Sequence, residues 1–474
     1  MQRIAISLAG HTNLGKTTLA RTLLRRDIGV VDDRPHVTDI ADGHVMAKDE
    51  QAEVVLWDLP GFGDSVRLKQ RLRRTGIVAW LLGTFDRWAD RPLWCSQQCL
   101  LNAKNDADVV LYLLDAQADP AGSPEVRAEM EILGCIGKPV FLLLNQTGLP
   151  DDKRDRVLVQ GWRDALAEFP FVRDAMPLDG WMRCWVQESL LFQRIAPLLT
   201  DEKRPHFERL VSSWKQVHHD AVFTNTIHLL AKALAATATD RAVVEKELLV
   251  EQAVALATRK PTPQNERARA ALTASLVERS HQTMVQLLAA HGLEGVPRDR
   301  VESMVDGLRA RDPDAPPEVW AILGGIGSGV IGGLIADVHA GGLSFGGGTV
   351  AGAFIGGLAA YALGYGYQKM KGDDGVNRLQ WSEKFLLDEW QASALRYLMI
   401  AHVGRGQGRW EEPIPSAWPA QWKKFIDDWT ANHRKEISAA LAASELDAIQ
   451  ALMESQLREI LNHLYPNSRD PEES

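Results

Sequence analysis

In the first third of the chain, short apolar stretches are separated by polar or glycine-rich turns. Arg3 to Leu8 places Ile4, Ile6 and Leu8 on alternate positions, as a buried first strand would. Thr18 to Leu24 reads as a helix, and Glu53 to Asp58 as an apolar strand. Ala107 to Leu114 is a near-continuous apolar run, the pattern of a central parallel strand. Glu125–Leu133 (helix), Pro139–Leu144 (strand), Asp155–Glu168 (helix) and Ala175–Leu178 (strand) follow. Alternating strands and helices predict an α/β domain with a mostly parallel sheet and flanking helices. From about Gln187 apolar residues recur at three- and four-residue spacing. Helices are expected in Phe207–Ala236, Arg241–Arg259, Asn265–His291, Leu379–Ile400 and Ala417–Leu464. Pro261-Thr262-Pro263 breaks one run, and residues 311–317 read as a linker.

Between the first strand and first helix stands Gly10-His11-Thr12-Asn13-Leu14-Gly15-Lys16-Thr17-Thr18, the G-x-x-x-x-G-K-T pattern of a phosphate-cradling loop. A helix N-terminus favours anions, and glycine lets the backbone approach them. Lys16 is the point charge for β- and γ-phosphates, and the Thr17 hydroxyl is a Mg²⁺ ligand. Thr38 lies in the following polar loop. It is either a switch threonine that closes over Mg²⁺ and the γ-phosphate or an ordinary loop residue. The strand ending at Asp58 continues Asp58-Leu59-Pro60-Gly61. Asp58 would hold Mg²⁺ through water, and the Gly61 N–H would sense the γ-phosphate. Phe62 follows where many such enzymes carry a water-orienting Gln, a job Phe cannot do. Asn145-Gln146-Thr147-Gly148 occupies the place of a guanine-reading N-K-x-D motif. Asn145 fits, Gln146 stands for the Lys, and Gly148 lacks the carboxylate that selects guanine over adenine. Asp151 and Asp152 are out of register. Leu178-Asp179-Gly180 falls near the loop that flanks the base. GTP against ATP stays open on these residues.

Residues 67–101, rich in Arg and Trp, form an insertion that serves as a lid or partner surface or as extra packing. Composition adds little. The 474 residues are 45% hydrophobic and 24% charged, as in a globular protein of two or three domains. A net charge of −9 argues against nucleic-acid binding through bulk charge. Four cysteines are too few for a disulfide framework, and the N-terminus enters a strand with no signal-peptide pattern.

Val319 to Ala336 carries no charge, nor does Ala340 to Gln368. Gly325, Gly329 and Gly333, then Gly348, Gly352 and Gly356, recur at spacing four, a stripe that lets helices approach closely. Arg309, Arg311, Lys369 and Lys371 flank the region. A hairpin with both ends cytoplasmic and Asp337 and His339 at its tip is expected. It either inserts into a membrane or packs as a soluble helical hairpin. His402 to Trp410 is a glycine–arginine loop, an anion site or a solvated turn.

Together the motifs of roughly the first 190 residues resemble the TrmE/Era/EngA group of P-loop GTPases. The resemblance implies Mg²⁺ and GTP as cofactor and substrate, with Lys16, Thr38, Gly61 and Asn13 in catalysis. In some members the Asn at the Asn13 position helps bind K⁺, and a hydrophobic residue at Phe62 is typical. The whole chain also resembles a bacterial family with this domain followed by a C-terminal domain of unknown function. The shared signatures are Asp58 to Ser65, Asp86-Arg87-Trp88, Arg91 to Cys95, Leu144 to Gly148 and Gly404-Arg405-Gly406-x-Gly408.

The expected organisation is a GTPase domain over 1–190 with an insertion at about 66–104, and a helical region over 191–311. A linker and glycine-zipper hydrophobic hairpin over 312–371 come next, then a helical region over 372–465 and a disordered tail over 466–474. The expected function is hydrolysis of GTP to GDP and phosphate, slow without a partner or K⁺. Nucleotide state would drive membrane association or oligomerisation through Ile322–Gly366 at the cytoplasmic face of the inner membrane. A homo-oligomer or membrane-protein partner is expected, and nucleic acid is not favoured. The alternatives are a ribosome- or RNA-assembly GTPase of the Era type and a weakly hydrolysing nucleotide-binding scaffold.

Overall fold

The computed structural model describes residues 1–26, 28, 42–59, 61–62, 100–101, 103–134, 136–147, 152–179, 184–246, 248, 250–251, 255, 262–292, 366–372, 374–402 and 418–466. Thr38, Gly63 to Ser65, the insertion up to residue 99, Gly148, the hairpin segment up to residue 365, the 404–408 loop and residues 467–474 lie outside them. Two compact units result. One comprises Met1–Ala221, Ala401–Trp410 and Asn462–Ser474, the other Val222–Ile400 and Glu411–Leu461.

In the first unit β1 (Gln2–Gly10) leads into α1 (Lys16–Leu24). Then follow β2 (Asp42–Lys48), β3 (Ala52–Asp58), β4 (Val109–Asp115), α2 (Pro124–Gly134), β5 (Val140–Asn145), α3 (Asp152–Ala165), β6 (Val172–Pro177), α4 (Trp185–Ile195) and α5 (Arg204–Lys215). The sheet order is β2-β3-β1-β4-β5-β6. All its ladders are parallel except β2 with β3. Alternation along the strands divides the core in two. Ile4, Ile6 and Leu8 of β1 pack with Leu19, Leu23, Leu191 and Phe207, on the side of α1, α4 and α5. Val110, Tyr112 and Leu114 of β4 pack with Met130, Leu133 and Trp162, on the side of α2 and α3. Burial on both faces is why the central strands read as nearly unbroken apolar runs.

β2 was not legible in the sequence. As an edge strand it is largely solvent-facing and carries a register shift between Val45 and Ala47, so its apolar period is broken.

α1 ends at Arg25, which adopts φ 56°. A guanidinium nitrogen of Arg25 donates to Glu188 Oε2 at 2.6 Å. His219 Nε2 donates to the same oxygen at 2.9 Å, and His219 Nδ1 lies 3.1 Å from the Ser189 hydroxyl. His219 belongs to a single π-helical turn, Gln216–Asp220, that continues α5. The phosphate-loop helix, α4 and this turn are thus joined through one buried carboxylate.

The second unit holds α6 (Ala221–Thr239), β7 (Arg241–Val243), α7 (Pro263–Ala290), β8 (Tyr367–Lys371), β9 (Asn377–Trp381), α8 (Glu383–Ala401), α9 (Trp418–Asn432), α10 (Arg434–Ala443) and α11 (Leu446–Leu464). It is largely helical, as expected, with three corrections. Arg241 to Val243 is a strand and does not begin a helix. Leu379 to Trp381 likewise ends β9, so the helix begins at Glu383. Together with β8 these strands form a three-stranded antiparallel sheet in the order β7-β9-β8. Tyr367–Lys371, assigned from the sequence to the end of the hairpin segment, is β8. Its strands are three to five residues long, too short to set a two-residue period against neighbouring helical patterns. Long-range packing decides instead. Trp381 stacks between Tyr367 and Phe385 at ring separations of 4.9 and 4.1 Å, over Leu272 and Leu276 of α7. Across α8 and α11, Trp390 Nε1 donates to Gln456 Oε1 at 2.8 Å.

Candidate functional site

The site is assembled where β1 turns into α1. Gly10 closes β1 with φ +136°, and a Cβ there would stand 2.4 Å from the Leu113 carbonyl oxygen of β4. Only glycine meets both demands. Asn13 turns the loop at φ 63°, a left-handed conformation that Asn tolerates. Gly15 begins α1 without a side-chain cap, so the positive end of the helix dipole faces the loop.

Lys16 and Thr17 are the first two residues of α1, which places both in its opening turn. The Lys16 ammonium lies across the loop and donates to the His11 carbonyl at 2.6 Å and the Gly10 carbonyl at 3.2 Å. The Thr17 hydroxyl donates to Asp58 Oδ2 at 2.6 Å, although β3 supplies Asp58 from another part of the chain. Thr18 is buried beneath the loop. The segment after β3 folds back onto the loop. The Phe62 N–H donates to the Gly10 carbonyl at 3.1 Å, and His11 and Phe62 form a parallel bridge. A Cβ on Gly61 would lie 2.8 Å from Thr12 Cα, so glycine permits this contact. Phe62 is fully buried, packed with Leu59, Leu100 and Tyr112.

The other end of the site is also tied in. Asn145 Nδ2 donates to the Leu14 carbonyl at 2.7 Å, joining β5 to the loop. Gln146 takes φ 60°, and its carbonyl accepts from Gln117 Nε2 at 3.4 Å. Among the described residues, Gly10, His11, Thr12, Asn13, Leu14, Gly15, Lys16, Thr17, Thr18, Asp58, Gly61, Asn145 and Gln146 therefore gather on one edge of the sheet.

Sequence reasoning missed Glu129 of α2. Its fully buried carboxylate accepts from the Tyr112 hydroxyl at 2.5 Å and lies 3.3 Å from His11 Nδ1. This hydrogen bond and the charge of Glu129 raise the His11 pKa above its ordinary value, against partial burial. The signal was present. Glu129 shares a helix face with Val126, Met130 and Leu133, a stripe that is otherwise apolar.

The donor set fits the two groups that the motifs imply. A left-handed loop, a helix N-terminus and an ammonium suit a polyphosphate. A hydroxyl and a carboxylate oxygen held 2.6 Å apart suit a hard, oxygen-preferring cation such as Mg²⁺.

A family model described as a domain of unknown function (DUF3482) matches residues 184–465. A second, described as 50S ribosome-binding GTPase, matches residues 5–146. GTPase Der of Citrifermentans bemidjiense is 30% identical over 142 residues, covering 30% of this chain and 26% of that protein. GTPase Era of Thermoanaerobacter sp. (strain X514) is 26% identical over 149 residues, covering 31% of this chain and 41% of that protein. The chain thus spans about a quarter of the Der relative's length and about two fifths of the Era relative's. A crystal structure of Aquifex aeolicus Era bound to GDP.AlF4- aligns with a TM-score of 0.32 and 16% identity, over 42% of this chain and 58% of that one. The chain belongs to the DUF3482 family, and its N-terminal part is similar to the GTPases Der and Era and matches the GTPase family model over residues 5–146.

Proposed function

We propose that this protein hydrolyses GTP to GDP and phosphate and works as a nucleotide-controlled switch. The observation that carries this reading is the pairing of Thr17 with Asp58 beside Lys16, at the mouth of a left-handed loop. Lys16 would exchange its two carbonyl partners for β- and γ-phosphate oxygens. Mg²⁺, when bound, supplies charge neutralisation on the β- and γ-phosphates. Thr17 and Asp58 would hold it, with Thr38 as a further ligand. Water attacks the γ-phosphorus, the bond to the β-phosphate oxygen breaks, and GDP leaves. Phe62 is packed in the core, so the attacking water is oriented by another group. A K⁺ ion held partly by Asn13 would supply further positive charge in the transition state. The Gly61–Phe62 backbone, which bonds to the phosphate loop, is the segment through which γ-phosphate would be sensed.

The output we assign to the switch is membrane association or oligomerisation through Ile322–Gly366, at the cytoplasmic face of the inner membrane. Its support is the charge-free, glycine-spaced sequence. Residues 322–365 of that segment lie outside the described residues, among which no helix is long and apolar enough to cross a membrane. A second reading, binding to ribosome or RNA, draws on the description of the matched GTPase family.

Flotation of the purified chain with anionic liposomes, with and without a non-hydrolysable GTP analogue, separates them. Nucleotide-dependent flotation that is lost on deleting residues 322–366 supports the membrane switch. A chain that stays with the aqueous phase in every state and co-sediments with ribosomal particles supports the second reading. If Lys16→Ala changes neither turnover nor partition, both switch readings fall.

A further inference from the structure

The phosphate loop is held by two sets of bonds with different fates. Those from Lys16 to the His11 and Gly10 carbonyls are the ones that phosphate oxygens would replace. The His11 side chain instead reaches out of the loop to α2. Its Nδ1 donates to Glu129 Oε1 at 3.3 Å, and the other carboxylate oxygen, Oε2, accepts from the Tyr112 hydroxyl at 2.5 Å. Strand register brings these groups together. Tyr112 of β4 pairs with Ala9 of β1, two residues before His11, and α2 packs over that face of the sheet.

Glu129 is 0% exposed. A carboxylate is kept at such a depth only where donors compensate its lost hydration, and here each oxygen has one. The residue it holds is also tied to the segment after β3. His11 and Phe62 form a parallel bridge, and the Phe62 N–H donates to the Gly10 carbonyl at 3.1 Å. Phe62 and Tyr112 are both fully buried in one apolar cluster. The connections close on themselves, from His11 to Glu129 to Tyr112, through the cluster to Phe62, and back across the bridge to His11. Gly61, whose N–H is assigned to the γ-phosphate in the reading above, lies in the segment that this circuit fixes.

We propose that Glu129 is a positioning residue for GTP hydrolysis: through the His11 ring it holds the phosphate loop against the Gly61–Phe62 segment, so that the Gly61 N–H meets the γ-phosphate. The proposal rests on the GTPase reading above. It adds a group from α2, outside the phosphate-binding motifs. A donor aimed at charge that develops in the transition state loses much of its effect when displaced by about 1 Å. GDP has no γ-phosphate, so its affinity does not depend on that donor.

The test is GTP hydrolysis by the full-length chain in Mg²⁺ and KCl, with GDP affinity measured by competition against a fluorescent GDP. The variants are Glu129→Gln, His11→Ala and the two combined. Each single variant should lose at least tenfold in kcat and keep KM and GDP affinity within about threefold of native. The double variant should be no slower than the slower single one, because Glu129 acts through His11. A contact that only stabilises the fold would not give this split, since its loss lowers the folded fraction and so reduces binding and turnover alike. A kcat within about threefold of native in both single variants overturns the proposal. So does a GDP affinity that falls in step with kcat, and so do losses that multiply in the double variant. If Glu129→Gln does not fold, His11→Ala decides alone, because that side chain is 40% exposed. Failure of the underlying reading looks different. The native chain then hydrolyses no GTP, or Lys16→Ala hydrolyses it as fast as the native chain does.

Discussion

Thr17 Oγ1 donates a 2.6 Å hydrogen bond to Asp58 Oδ2, joining residues 41 positions apart. One is in the first turn of α1 and the other at the end of β3, so the pair fixes two walls of the site against each other. Asp58 is nearly fully buried. Removing either partner should raise the Mg²⁺ concentration needed for half-maximal GTP turnover by about 10–100-fold. Magnesium titrations of Thr17→Ala and Asp58→Asn check this. An unchanged Mg²⁺ dependence in both would remove the pair from the metal site.

Phe62 occupies the position where a water-orienting glutamine stands in many GTPases, but its ring is sealed in the core. Phe62→Gln should not accelerate hydrolysis, since the side chain starts from the core and not from the phosphates. Phe62→Ala should cost about 3–5 kcal/mol of stability through the cavity it leaves. Denaturant unfolding and steady-state turnover on the two variants give both answers.

Asn13 adopts φ 63°, so its backbone and side-chain roles can be separated. Asn13→Gly keeps the left-handed turn and deletes the amide. If the side chain is a K⁺ ligand, the native chain turns over faster in KCl than in NaCl, and the glycine variant loses that difference. A variant that keeps full K⁺ stimulation would leave Asn13 a turn residue.

Two histidines should pull the pH dependence of stability in opposite directions. His11 has a raised pKa because it bonds to Glu129. The folded chain holds that proton more tightly than the unfolded one. The stabilisation is complete below about pH 6.5, the unfolded value, and is lost as pH rises through the higher folded value. His219 is the reverse. Burial lowers its pKa, against the opposing hydrogen bond that it donates to Glu188. Unfolding then takes up a proton below about pH 6.5, so its contribution to stability falls as the solution is acidified. Melting temperatures between pH 5 and 9 should show His11→Gln reducing the loss on the alkaline side. His219→Gln should reduce the loss on the acid side, on top of a uniform cost for the disturbed core. Identical pH profiles for both variants would contradict the assignment.

Gly10 and Gly61 are places where one added methyl should abolish nucleotide binding. A Cβ at Gly10 meets the Leu113 carbonyl at 2.4 Å, and one at Gly61 meets Thr12 at 2.8 Å. Equilibrium dialysis with labelled GDP on Gly10→Ala and Gly61→Ala should show at least a tenfold loss for each. Retained affinity in either would mean that the loop relaxes around the methyl.

The sequence by itself determined the strand–loop–helix start, the strand that ends in Asp58 and the apolar central strands. Each of these is a local pattern. Glycines mark the special dihedrals, buried parallel strands are apolar on both faces, and the motif residues lie on adjacent positions. It also determined that Phe62 could not orient water. Only the tertiary structure decided where long-range partners meet. Thr17 and Asp58, Asn145 and the Leu14 carbonyl, and His11 and Glu129 are each brought together by the stacking order of the sheet, which no local period encodes. The same holds for β7, β8 and β9. Strands of three to five residues carry too little apolar surface to declare themselves, and they become strands through pairing with one another and burial of Trp381 against α7.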